Sequence, residues 1–472
     1  MDPTEDTTMN IPSALSSLDA IIASAQQAKA DLTAVVPTIL VVRAGESLQA
    51  ALDTHLPVEV EAGAIFEGHY TAPSGTRLAF RAGSGAHGKT GPALTLLPGT
   101  KDSHVIGGEL TSDYAGEVVL IGNNVDQRTL ADQPTNIGFT GTRVPMHRGR
   151  RAFGIHAYQV TLQDCEVLDC WSAAGEDSQA VYVGNAQGAV TLNGGRYQAG
   201  SEVFLAGGDA VRTPGLVPDG IVLDGVELSR PLSWQTDGVK RKVKNLFEVK
   251  SGRHVILRNS RLSGCWADGQ TGEAIVLTPA LDGAKTTPVS MSGIVEDVLI
   301  ENNDVRHVGA TFNILGRNYS AYTPTPLTGL LARKNVFLAS KALYGGTGQF
   351  AKIGGEPGTL TFEDNIIVTD GSSLIYFYRG SVIESDGFVH GAGNLQALAF
   401  RANYSTIGAY GINLDGYANA GAGGRAAVTA LDVSGNTFGG GTLMKANLPS
   451  NTYLTRAAFD ALPEVQAAVA GA

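Results

Sequence analysis

Cysteine is scarce in this chain: three residues in 472, Cys165, Cys170 and Cys265. So small and odd a number excludes a disulfide framework, and the spacing matches no zinc site; buried thiols in a reducing compartment are expected, with no metal and no cofactor. Charge is also thin, at 17 % Asp, Glu, Lys and Arg, and aromatics make up only 7 %. Disorder is nevertheless excluded, because 43 % of the residues are apolar, more than a chain unable to build a core would carry. No apolar run is long enough to cross a bilayer. The first residues, MDPTEDTTMN, are acidic and polar where a signal peptide would have a basic and then an apolar region. Basic residues are outnumbered 34 to 45, for a net charge of −11, so neither nucleic acid nor an anionic membrane surface is an expected partner. One basic run stands apart, Lys240-Arg241-Lys242-Val243-Lys244. It reads either as a solvated loop or as an anion contact.

Glycine, in contrast, is abundant, 60 of 472, as suits short strands joined by tight turns. The chain exceeds one ordinary core, so several domains or a solenoid is expected. A unit of apolar–x–apolar, a polar corner and another apolar residue recurs. It appears as VVLIGNNV from Val118, IGFTGTRV from Ile137, VTLQDCEV from Val160, VTLNGGRY from Val190 and IVLDGVEL from Ile221. It continues as VILRNSRL from Val255, VLIENNDV from Val298, LLARKNVF from Leu330, LTFEDNII from Leu360, LAFRANYS from Leu398 and LDVSGNTF from Leu431. Strand alternation sends the two apolar residues of each triplet into one continuous inner stack. The sixth residue is Asn303, Asn335, Asn365, Asn403 and Asn436 in the last five units. Asn tolerates a left-handed corner, and stacked amides could bond from coil to coil. A second strand set lies between these units, beginning at Ala180, Glu202, Asn245, Ala274, Thr311, Gln349 and Leu374. Two or three strands per coil predict an all-β fold, a right-handed parallel β-helix solenoid.

The ends differ from this pattern. After a polar tail, a heptad seam of Ile11, Leu15, Leu18, Ile22, Ala25, Leu32 and Val36, ended by Pro37, predicts a short N-terminal helix, either a cap or a coiled coil. Residues 1–37 are therefore an attachment or cap segment, 38–110 irregular opening coils with a short helix near Ala44–Leu52, 111–450 the β-helix, and 451–472 a C-terminal capping helix with Thr455 as its cap.

Three stretches carry a family resemblance: that from Glu176 to Trp234, which opens EDSQAVYVGN; VKNLFEVKSGRHVILRNSRLSGCWADGQTGEAIVLTP; and VEDVLIENNDVRHVGATFNILGRNY. Together they resemble a family of bacterial right-handed parallel β-helix proteins of the pectate-lyase-like superfamily, over roughly residues 57–380. The layout of a helical segment followed by a β-helix resembles phage tail spikes. That resemblance implies a virion protein that binds a host cell-surface polysaccharide, attaches to other virion tail proteins through its N-terminal segment and forms a homotrimer. The alternatives are a secreted carbohydrate-active enzyme, a polysaccharide lyase or glycoside hydrolase, and a structural virion decoration protein without catalysis. Pectate-lyase chemistry would need a calcium-binding carboxylate cluster, and polygalacturonase chemistry a tight Asp cluster with Gly-His-Gly; neither pattern occurs. His156, His254 and His307 are isolated and read as structural.

Candidate site residues come from the second strand set. With Phe247 and Val249 inward, Glu248 and Lys250 point outward, and neighbouring coils add Tyr182, Asn313, Arg317, Tyr376 and Tyr378. Glu176, Asp177, Glu202, Asp209, Asp268 and Glu273 lie at the strand edges. Carboxylates can orient sugar hydroxyls and a Tyr face can stack on a sugar ring. Were the site catalytic, Glu248, Asp177 and Glu202 would supply the general acid and the base or nucleophile. Lys250, Tyr182, Asp209, Asp268, Glu273, Asn313, Arg317, Tyr376 and Tyr378 would bind substrate.

Overall fold

The computed structural model describes residues 38–470 except 214, 281–292, 318–325, 380–381, 384–388, 391–392 and 441–443. The heptad seam lies outside the described residues. Among these residues the chain winds into three parallel sheets of 14, 14 and 12 strands, with one two-stranded antiparallel ribbon, Val382–Ile383 with Val389–His390. Sheet A runs from Leu40–Val42 to Val428–Ser434, sheet B from Ile65–Glu67 to Thr452–Leu454, and sheet C from Tyr70–Thr71 to Gly411–Leu414. This is a parallel β-helix, in which successive coils stack strand on strand in three parallel sheets.

One turn shows the construction. Gly252–Arg258 lies in sheet A, Arg261–Cys265 in sheet B and Glu273–Leu277 in sheet C. In sheet A the alternation sends Val255 and Leu257 into the core, where both are wholly buried. In sheet C the pattern is different: Leu246, Phe247 and Val249 are all in the core. Phenylalanines stack along the axis, Phe204 on Phe247 at 5.4 Å, and Phe312, Phe337, Phe350 and Phe362 with centroids 5.0–5.6 Å apart. The sheets begin at residue 40, so the opening coils already belong to the stack; their short helix is Leu48–Leu52, capped by Ser47.

The asparagine ladder forms and bonds from coil to coil as expected, but the asparagine is not the left-handed residue of the corner. The left-handed corner residue is the one before each asparagine: Asn302, Lys334, Asp364, Ala402 and Gly435 all have φ between 52° and 68°. The asparagine itself turns inward. Asn303 N–H and Nδ2 donate to Asn335 Oδ1, each at 2.9 Å, and the same pair of bonds runs from Asn335 to Asn365, Asn365 to Asn403, Asn403 to Asn436 and Asn436 to Asn451. The spare Nδ2 hydrogen goes to a core-strand carbonyl, as from Asn365 to Ala332. The side chain thus satisfies buried backbone groups that a tight corner leaves unpaired.

The C-terminal helix is two pieces, Arg456–Asp460 and Pro463–Ala470. Thr455 caps the first piece, whose Phe459 packs on Gly439 of the last coil. The second piece contacts strand Ile366–Thr369, and its Ala468 carbonyl accepts from Arg306. The tail therefore turns back along sheet B as well as closing the end.

The corner between sheets A and B is two residues long in every coil from Lys101–Ile106 onward and four in the two coils before it, whereas the connections from B to C and from C to A vary from one residue to 17. Sheet C is the sheet bordered by connections of variable length on both sides, so side chains on its outer face have the most varied surroundings.

Candidate functional site

Register places one row of outward side chains along sheet C: Tyr182, Leu205, Glu248, Val276, Asn313, Lys352, Tyr376 and Asn413, each paired with the next. Four residues expected from alternation, Tyr182, Glu248, Asn313 and Tyr376, share it. The row has two halves. From Tyr182 to Val276 every member is buried; from Asn313 to Asn413 every member is partly exposed.

In the buried half a second row begins the same strands: Glu117, Arg151, Gln179, Glu202 and Asn245. These side chains bond along the axis. Arg151 reaches Glu117 at 3.3 Å and Asp209 at 2.8 Å and donates to Gln179 at 3.2 Å; Gln179 donates to Glu202 at 2.8 Å. Lys244 bridges Glu202, at 3.0 Å, and Asp177, which Lys242 also holds at 2.8 Å. Asn245 donates to Glu248 at 2.8 Å, and Lys250 lies 3.3 Å from Glu248. The basic run is therefore an internal anion contact: Lys242 and Lys244 hold carboxylates, and Arg241 pairs with Asp237 while lying 4.3 Å over Trp234.

These partners set the charges. Burial raises Glu248 above the ordinary carboxylate range and Glu202 adds to it, against the opposing pull of Lys250 and Asn245. Burial also works against the charge on Asp177, but Lys242 and Lys244 outweigh it and hold that carboxyl low. Asp209 is low in the same way, burial being outweighed by Arg151.

Lys244 thus joins Glu202 and Asp177, and Glu248 is coupled to Glu202 through charge alone. The expectation that Glu248 and Lys250 simply face solvent needs correction: Glu248 is 3 % and Glu202 1 % exposed. Alternation gives a side chain's direction, and here the lysines, more exposed than the carboxylates, form the outer layer. Tyr182 presents no ring face to a ligand, being fully buried with the Arg151 guanidinium 3.6 Å from its centroid. Glu273 is buried and accepts from Thr271 at 2.7 Å; exposed Asp268 accepts from the Val243 amide at 3.0 Å. Glu176 is exposed, 3.9 Å from Arg150. The three histidines differ: His156 is buried, its Nδ1 bonded to the Gly184 carbonyl; His254 lies between Asp219 and Asp297; His307 bonds Ser263. Burial raises all three thiols to about 12.

The exposed half is a platform. Tyr376 and Tyr378 stack at 5.8 Å and 25°. Gly354 makes room for this pair: a Cβ there would stand 2.4 Å from the Tyr378 ring. Lys352 Nζ lies 5.8 Å from the Tyr378 centroid. Arg317 pairs with Glu356 at 3.3 Å and Arg379 with Asp415 at 2.7 Å beside the row. The Asn313 and Asn413 Oδ1 atoms have no hydrogen-bond partner among the described residues. Sequence reading passed over Lys352 and Asn413. Parity between Ala351 and Ile353 would have found Lys352, whereas Arg151 and Lys244 needed the register between coils. Among the described residues no group of three or more His, Cys, Asp or Glu is placed to hold a metal, and no helix is long and apolar enough to cross a membrane.

No family model matches this chain, and no curated protein does. Among solved structures it is similar to a mutant tailspike protein of E. coli bacteriophage HK620 in complex with a pentasaccharide, at 13 % identity, covering 88 % of this chain and 74 % of that one, with a TM-score of 0.49. A mutant of the same protein in complex with a hexasaccharide is 12 % identical over 88 % and 74 %, with a TM-score of 0.46. The Family 28 exopolygalacturonase of Yersinia enterocolitica is 12 % identical over 73 % and 76 %, with a TM-score of 0.36.

Proposed function

We propose that this chain is a virion tail spike or related receptor-binding protein that recognises a host surface polysaccharide on sheet C. The supporting observation is the half-exposed row Asn313–Lys352–Tyr376–Asn413 with Tyr378 beside it. Three inter-strand steps of about 4.8 Å extend it over about 14 Å, room for more than one sugar ring. Parallel pairing holds the row rigid, so binding orders few side chains. Aromatic faces with amides and a cation between them offer both stacking and hydroxyl recognition. Arg317, which follows the Asn313 strand, borders this surface as a secondary contact.

The test is binding of purified bacterial surface polysaccharides, measured by calorimetry. Tyr376→Ala is expected to weaken binding at least tenfold with unchanged circular dichroism. Equal binding by wild type and variant would remove the platform from the proposal.

A second reading, a lyase or hydrolase, draws on Glu248, whose raised pKa beside Glu202 is what a general acid needs. Both carboxylates lie beneath lysines, which places recognition ahead of turnover. Reducing-end and unsaturated-sugar assays decide it: product formation abolished by Glu248→Gln would establish the enzyme, and silence in both would leave recognition alone.

A further inference from the structure

We infer that the polysaccharide is acidic, and that Lys352 binds its anionic substituent. This rests on the recognition reading above and adds the chemical class of the ligand.

The inference comes from charge balance on one face. The other bases named on the outer side of sheet C all have an internal carboxylate. Arg151 has Glu117 and Asp209, Lys244 has Asp177 and Glu202, and Lys250 has Glu248. Arg317 has Glu356 and Arg379 has Asp415. Lys352 differs: among the described residues it faces no carboxylate, and its charge is met only by the Tyr378 ring, near the outer limit of a cation–π contact. It is nonetheless half-buried, in the middle of the exposed row, with Asn313 on one side and Tyr376 on the other.

A partly desolvated ammonium with no counter-ion is a cost in the free protein, and an anion arriving with a ligand offsets it. A neutral sugar would cover Lys352 without neutralising it. The ammonium is a point charge on a flexible stem, so it can meet an anion carried at more than one position of a sugar ring. The chain's net charge of −11 opposes a polyanion at long range. That opposition is screened beyond about 8 Å at physiological salt, so the local contact decides. A uronate carboxylate, a sulfate ester and a phosphate ester share this chemistry, and the test separates them.

The experiment uses the full chain and a panel of purified bacterial surface polysaccharides of known composition, neutral and acidic. Each uronate-containing binder is also tested after chemical reduction of its carboxyls, and each sulfated or phosphorylated binder after removal of the ester. Binders are expected among the acidic members, with affinity falling at least tenfold once the anion is removed. The treatment that causes the fall identifies the anion. Lys352→Met should lose a similar factor on the native polymer, Lys352→Arg should keep most of the affinity, and wild type and Lys352→Met should bind the neutralised polymer alike. A neutral polysaccharide bound tightly, with Tyr376→Ala weakening it and Lys352→Met not, would overturn the acidic assignment and leave the recognition site standing. No binding to any member would overturn both.

Discussion

His156 shows how burial alone gives one side chain a pH-dependent role. It is fully buried beside Tyr182, with ring centroids 5.8 Å apart. Burial is the main cause of its pKa falling to about 4; Arg151 lowers it further, while the Gly184 carbonyl and Asp209 act the other way. The folded pKa is depressed below that of the unfolded chain, near 6.5. Its contribution is therefore fully present above pH 6.5 and is lost as pH falls towards 4, amounting to about 3 kcal/mol. Chemical denaturation at pH 7 and at pH 4.5 should show this loss, and His156→Gln, which takes up no proton there, should show a shallower dependence. An unchanged slope would mean that His156 is not the group responsible. Gly354 is a second single-residue control. Gly354→Val should displace the Tyr378 ring, lowering glycan affinity by about the factor seen for Tyr376→Ala while leaving the core intact.

At the scale of the element, the corner joining sheets A and B combines a left-handed residue with an inward asparagine. Asn365 accepts from Asn335 N–H and Nδ2 and donates to Asn403 Oδ1 and the Ala332 carbonyl. Asn365→Ala leaves buried partners on both neighbouring coils unsatisfied, at about 1–3 kcal/mol for each group. Hydrogen exchange should show lost protection at the corners on either side, with coils near residue 160 unaffected, since each repeat contacts only its neighbours. The periodic asparagines and their bonding from coil to coil were legible in the sequence; the position of the left-handed residue was not. Spacing shows that a corner recurs, but the left-handed φ falls one residue earlier, on residue types as different as Lys334 and Ala402.

At the scale of the whole molecule, one stack carries a polar surface whose N-terminal half is buried beneath its own ion pairs and whose C-terminal half is partly exposed. A spike assembled from three copies would present three such faces and raise avidity on a repeating polymer. Sedimentation equilibrium is expected to give three times the chain mass at micromolar concentration. A stable monomer that cleaves soluble polysaccharide would favour the enzyme reading instead.

Composition and period were enough to specify the solenoid. Apolar triplets recurring with variable loops have one economical burial, parallel coils around a common core, and Val255, Leu257 and Phe247 lie where alternation puts them. Alternation also put Glu248, Asn313 and Tyr376 outside that core. It could not say that Glu248 would be covered by its own ion partners, that Tyr182 would be taken by Arg151, or that Lys352 would stand between Asn313 and Tyr376. Those facts depend on which residues of separate coils come into register. Register follows from loops of unequal length, and only the assembled stack, where strands some 30 to 40 residues apart become neighbours, resolves it.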